Sequence, residues 1–195
     1  MGWHELIGIV AGVIQVLAII PYLRDVVRGS ARPNIVSWSL WTLAVLISTV
    51  AQINAGASWS LIILITATVL NVSVVFVGAL GYGYKKFGWV EGICLFFSLF
   101  GILLWQITSN PVLAISFAVA ADCIAYIPTI VKTYRDPHSE TALLWFVLFI
   151  VGSLGAISTT KIDAANLVFP IYYATINLLL WILVVGGQKL SRAAH

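Results

Sequence analysis

The stretch IPYLRDVVRGSARPN, Ile20 to Asn34, ends an apolar run with a proline and then places Arg24, Arg28 and Arg32 within nine residues. At an offset of 107, IPTIVKTYRDPHSET, Ile127 to Thr141, does nearly the same. Each reads as an apolar helix that meets a basic turn, and the surrounding composition says where that happens. Of 195 residues, 61% are hydrophobic and only 9% charged, against roughly 25% charged in a soluble domain. The chain belongs in a membrane.

Stretches near 20 residues, long enough to cross about 30 Å of hydrocarbon at about 1.5 Å per residue, run over residues 6–24, 35–54, 59–81, 89–107, 111–132, 141–160 and 164–186. A closed β-barrel needs alternating segments of about ten residues, and these runs are longer and do not alternate, so the chain is predicted all-α with seven spans. The first run opens on MGWHE, without a positive n-region or a small-residue cleavage site before the arginines, and reads as a mature helix. The connectors are too short for a soluble domain or a nucleotide-binding loop.

Lys and Arg fall at alternate ends of the spans: Arg24, Arg28, Arg32, Lys85, Lys86, Lys132, Arg135, Lys189 and Arg192 on one face, Lys161 on the other. Basic residues are retained on the cytoplasmic side, which predicts an outside N-terminus and a cytoplasmic C-terminus, in a cytoplasmic (inner) membrane. The net charge of +3 is thus a topology signal and does not call for a nucleic-acid partner.

The offset of 107 also superposes Ala18 on Ala125, Ile20 on Ile127, Pro21 on Pro128, Arg28 on Arg135 and Trp38 on Trp145. One further single-residue gap puts Asn71 on Asn177. Two three-helix units share an orientation only if an odd helix stands between them, and the fourth run supplies it. The predicted architecture is two parallel three-helix bundles, residues 1–84 and 111–195, joined by an inverting linker helix at 85–110.

These features resemble the SWEET sugar carriers and PQ-loop transporters, whose seven helices form two parallel bundles about a linker. The resemblance rests on a proline near the cytoplasmic end of the first helix of each repeat, a basic turn after it, and an asparagine in each third helix. The chain departs from the family signature, reading Pro21-Tyr22 and Pro128-Thr129 in place of Pro-Gln. The resemblance implies alternating access around a site at the repeat interface, with the third-helix asparagines, here Asn71 and Asn177, lining the substrate pocket.

By position, Gln15, Asn71, Asp122 and Asn177 fall near the centres of their spans, and Gln15 aligns with Asp122 at the same offset. An unpartnered amide or carboxyl in hydrocarbon costs several kcal/mol, so each must face the bundle interior or a wet cavity. The amides either bind a small polar substrate or only join helices by hydrogen bonds. Trp181, one turn after Asn177, either stacks on a flat ligand or packs. Asp122 is the only acidic residue near the middle of a span and no Lys or Arg shares its depth, so it is either a proton-coupling group or a protonated acid bonded to a neighbouring helix. Pro21 and Pro128, six residues from the polar ring, are either hinges of an inner gate or static kinks. Trp38, Trp41, Trp59, Trp89 and Trp145 lie near span ends and are read as an aromatic belt.

Cys94 and Cys123 lie inside spans, and His4, His138 and His195 lie at connectors or termini without metal-ligand spacing. There is no Ser-His-Asp or Walker-type pattern, and no lysine in the middle of the last span to hold retinal. Neither an enzyme nor a cofactor or metal site is predicted. The expected function is a secondary carrier for a small polar metabolite, sugar or amino-acid-like, with protons as a second candidate ligand and the lipid bilayer as its surroundings. The alternative is a receptor or structural protein of the same fold that binds without transporting, as in a KDEL-receptor-like role; the sequence leaves the oligomeric state open.

Overall fold

The computed structural model describes residues 2–54, 59–84, 87–108, 111–159, 162 and 164–193, without the side chains of some helical positions, among them 47–54 and 59–66. Lys85, Lys86, Lys161 and His195, used in the topology and motif readings, lie outside the described residues, as does the side chain of Trp59.

Seven α-helices are present among the described residues: α1 (Trp3–Val27), α2 (Ile35–Asn54), α3 (Trp59–Val77), α4 (Trp89–Ile107), α5 (Pro111–Arg135), α6 (Ala142–Ser158) and α7 (Ala164–Ala193). They coincide with the seven apolar runs, and no strand occurs among the described residues. A π-helical turn, Gly78–Tyr82, follows α3, and a 3₁₀ turn, Pro137–Ser139, precedes α6. Among the described residues three helical segments are long and apolar enough to cross a membrane, Trp3–Val27, Ser116–Arg135 and Leu167–Ala193; Ile35–Ala44, Trp89–Leu104 and Ala142–Ser158 are shorter apolar segments. The chain is an all-helical integral membrane protein by these features.

The helix ends follow local chemistry. At the start of α2, Asn34 Oδ1 accepts from the backbone N–H groups of Val36 and Ser37 at 3.1 and 3.3 Å, filling donors that the first turn leaves open. At the start of α4, Glu91 reaches back to accept from the Gly88 N–H at 2.9 Å. Several hydroxyls inside the helices are satisfied on their own helix: Thr42 donates to the Trp38 carbonyl, Ser73 to Val69 and Thr175 to Ile171, which lets these polar residues sit in apolar helices at little cost. Gly29, with φ of 77°, supplies the left-handed turn after α1 that L side chains resist.

Helix α3 lies against α1 and α2, and α7 lies against α5 and α6. The first three helices meet the last three through α1 on α6 and α2 on α5, while α4 packs on α5. Exchanging α1 with α5 and α2 with α6 maps one inter-half contact onto the other, the pattern of a two-fold relation. Two crossings are tight because a glycine permits them. A Cβ on Gly152 would lie 2.7 Å from the Ala174 backbone nitrogen, and one on Gly101 would lie 2.9 Å from the Ala121 Cβ, as expected where packing, not hydrophobicity, joins helices in lipid.

Hydrogen bonds gather one end of the bundle. The Arg32 N–H donates to the Ser139 carbonyl and the Tyr84 N–H to the Pro33 carbonyl, each at 2.8 Å. Gln188 donates to the Pro137 carbonyl at 3.0 Å. The chain after α1, after α3 and before α6 therefore meets the end of α7, and Arg24, Arg28, Arg32, Lys132, Arg135, Lys189 and Arg192 share this end. At the opposite end His4 Nδ1 pairs with the Ser158 carbonyl at 3.1 Å. Outward faces are apolar: Leu6, Val10, Val13, Leu17 and Ile20 form an exposed stripe on α1, and Phe96, Phe97, Phe100, Leu103 and Ile107 one on α4. Surfaces this apolar fit lipid as their solvent.

Candidate functional site

A cavity of about 510 Å³ occupies the centre of the bundle. Every helix contributes to its wall, from α1 through Gln15, α2 through Trp38 and Trp41, α3 through Asn71, α4 through Ser98, α5 through Asp122, α6 through Trp145 and α7 through Tyr173. Along α6 it runs from Trp145 to Gly155, a rise of about 15 Å. Positions related by the sequence offset face it together: Gln15 with Asp122, Trp38 with Trp145, Trp41 with Leu148, Ala44 with Val151 and, past the gap, Ala67 with Tyr173.

Three of the residues singled out from sequence are brought together on this wall. Gln15 is 5% exposed and its Oε1 has no hydrogen-bond partner. Asn71 is 7% exposed and lines the cavity. Asp122 accepts from the Tyr172 hydroxyl of α7 at 2.9 Å. Asn177 stands one layer back: its amide nitrogen donates to the Tyr173 carbonyl at 2.8 Å, and its Oδ1 accepts from the Tyr126 hydroxyl at 3.3 Å. Tyr126, not Asn177, lines the cavity, so Asn177 reaches the site by orienting that ring. Trp181 is not on the wall; it packs on Phe146 with ring centroids 5.3 Å apart. Pro21 and Pro128 lie within α1 and α5, and both helices continue past them. A third helical proline, Pro170 of α7, lines the cavity directly.

The belt reading of three tryptophans is overturned. Trp38, Trp41 and Trp145 are 1%, 8% and 0% exposed and line the cavity, whereas Trp89, 87% exposed, keeps a surface position. With Tyr126 they form one aromatic wall. Trp41 meets Tyr126 at 4.5 Å, Trp38 at 5.3 Å and Trp145 at 6.3 Å, the last two at steep interplanar angles of 78° and 72°. Trp41 Nε1 is buried and unpartnered. Being four residues into their helices put Trp38 and Trp145 near span ends by position, but the way each helix is turned buries them; their coincidence under the offset was the available signal.

Sequence reading also missed a buried polar network between this wall and the basic end. Lys132, assigned to a basic turn, is 2% exposed, and its Nζ donates to the Glu140 carboxylate and to the Arg32 and Ser139 carbonyls. Trp145 Nε1 donates to the other Glu140 oxygen at 3.2 Å, and the Tyr22 hydroxyl reaches it at 3.5 Å. Thr141 donates to Asp25 at 2.8 Å. Lys132 stands where the offset places Asp25 of the first half. The network joins the first three helices to the last three around the Lys132–Glu140 ion pair, and one of its members is Trp145 of the cavity wall.

No family model, characterised protein or solved structure matches this chain. The class is therefore defined by fold and site: an all-helical membrane protein with a central, polar-spotted aromatic cavity.

Proposed function

We propose that the chain is a secondary carrier of the SWEET and PQ-loop kind, moving a small polar metabolite by alternating access. The observation that carries this reading is the central cavity, to which all seven helices contribute and in which repeat-related positions face one another. In this reading residues 1–84 and 111–195 are the two bundles, α4 is the inverting linker, and the site is made by Gln15, Asn71, Asp122 and the ring that Asn177 orients. The buried Lys132–Glu140 network is the closed inner gate, and Pro21 and Pro128 are its hinges. Asp122 carries the coupling proton. The basic end faces the cytoplasm, the C-terminus with it, in the inner membrane.

The test combines melting of detergent-purified protein with uptake into proteoliposomes, over a panel of sugars, amino acids and vitamins. A substrate at about 100 times its dissociation constant stabilises by about 2.7 kcal/mol, and that gain disappears in Asn71→Ala plus Asn177→Ala. A ligand that binds but is never taken up would replace the carrier with a receptor of the same fold.

A further inference from the structure

We infer that the cavity takes a small organic cation, held by Asp122 and by the aromatic wall of Trp38, Trp41, Tyr126 and Trp145. This deepens the proposed function and rests on its reading of the cavity as the substrate site. Asp122 is the only acidic or basic side chain among the described residues that line the cavity. Its hydrogen-bond partner, the Tyr172 hydroxyl, donates a hydrogen bond but brings no positive charge. A carboxylate inside a membrane bundle requires a counter-charge or a proton. The nearest buried lysine, Lys132, is already matched to Glu140. When Asp122 has given up its proton, the missing positive charge is left to the occupant.

The rest of the wall selects the same chemistry. Indole and phenol faces attract an ammonium or other organic cation within about 6 Å of the ring centroid, most strongly when both are desolvated. Four such rings are joined here by contacts in five of their six pairs, and Trp41 meets its two indole neighbours edge to face. Hydrogen-bonding capacity is sparse by contrast. Ser98 spends its hydroxyl proton on the Ala121 carbonyl at 3.0 Å, which leaves Gln15, Asn71 and the unpartnered indole N–H groups of Trp38 and Trp41. A hexose would bring five hydroxyls to this wall, each costly if left unpaired, and would supply no counter-charge to an ionised Asp122. A cation with an apolar body needs few partners: one carboxylate, ring faces, and Gln15 Oε1, which is buried and unpartnered, to accept from any N–H or O–H it carries. A volume near 510 Å³ admits a molecule of metabolite size.

The test uses full-length protein in detergent and three probes, tetramethylammonium, choline and benzyltrimethylammonium, each beside its uncharged carbon isostere. The readouts are melting temperature and quenching of tryptophan fluorescence. Expected is saturable binding of at least one cation, at least tenfold tighter than its isostere. In Asp122→Asn that preference collapses to within about twofold. Because loss of the Tyr172 bond can unsettle the fold, Trp41→Leu is the second variant; it keeps the carboxyl and loses tenfold or more in cation affinity. Equal binding of cation and isostere, or an unchanged preference in Asp122→Asn, overturns the inference. Stabilisation by sugars or zwitterionic amino acids but by no cation overturns it too, while the carrier reading stands. Cation binding without uptake keeps the ligand class and removes the carrier.

Discussion

At single residues the decisive groups are buried charges, and two of them lead to opposite expectations on mutation. Lys132 and Glu140 neutralise each other beside the cavity floor. Lys132→Met leaves Glu140 buried with only the Trp145 and Tyr22 donors, so a loss of about 3–5 kcal/mol is expected. Adding Glu140→Gln removes the stranded charge and keeps an acceptor for Trp145. Chemical or thermal unfolding of the two single variants and the double should return about half of the loss, the non-additivity that contact predicts. Asp122 has no such partner. The titratable groups near it are Tyr172 and Tyr173 of α7 and Tyr126 and Cys123 of its own helix; among the cavity residues of α2 and α4 none is acidic or basic. Uptake whose rate varies between pH 5 and 8 in wild type is expected to become flat in Asp122→Asn, and an unchanged profile rules out proton coupling at this position. Asp122, Gln15 and Asn71 were legible because depth along a helix follows directly from counting residues. Lys132 and Glu140 were not, since their burial depends on a contact between segments eight residues apart that a turn folds together.

At the level of elements, the helices themselves were the most legible feature: each coincides with an apolar run, and even the breaks follow Pro, Gly and basic turns seen in the sequence. The rotation of each helix was harder to read. These helices are apolar nearly all round, so hydrophobic periodicity does not distinguish a lipid face from a cavity face, and Trp38, Trp41 and Trp145 were misplaced for that reason. What does mark the inward face is a small residue at a crossing. Gly152 holds α6 against α7, where any Cβ would meet the Ala174 backbone at 2.7 Å, and backbone cannot rotate away as a side chain can. Gly152→Ala is therefore expected to destabilise by about 1–3 kcal/mol through overpacking. Gly186, whose added Cβ would meet nothing within 4 Å, is the control on the same helix pair: Gly186→Ala should leave the melting temperature unchanged or slightly raised, since alanine is the better helix former.

For the whole molecule, the proposed carrier requires the first three helices and the last three to exchange access to one cavity. Contacts between them run through α1 with α6 and α2 with α5, and at the basic end they are tied by Lys132 on the Arg32 carbonyl, Tyr22 on Glu140 and Thr141 on Asp25. Each tie crosses from the first three helices to the last three, so the rocking proposed for a carrier would break all of them together, a cooperative closure rather than a single latch. Trp145 belongs both to the cavity wall and to this network, so in the proposed carrier an occupant would touch the gate directly. The expectation concerns access from the basic side. In a background carrying Cys94→Ala and Cys123→Ala, Asn71→Cys places a thiol on the cavity wall. A membrane-impermeant thiol reagent supplied from the basic side should label it slowly, because the aromatic layer and the matched charges lie in between. Adding Lys132→Met with Glu140→Gln weakens the tie without stranding a charge, and labelling from that side should accelerate at least tenfold. An unchanged rate would mean that the network is only structural cement, and the gate would then have to lie in the aromatic wall itself.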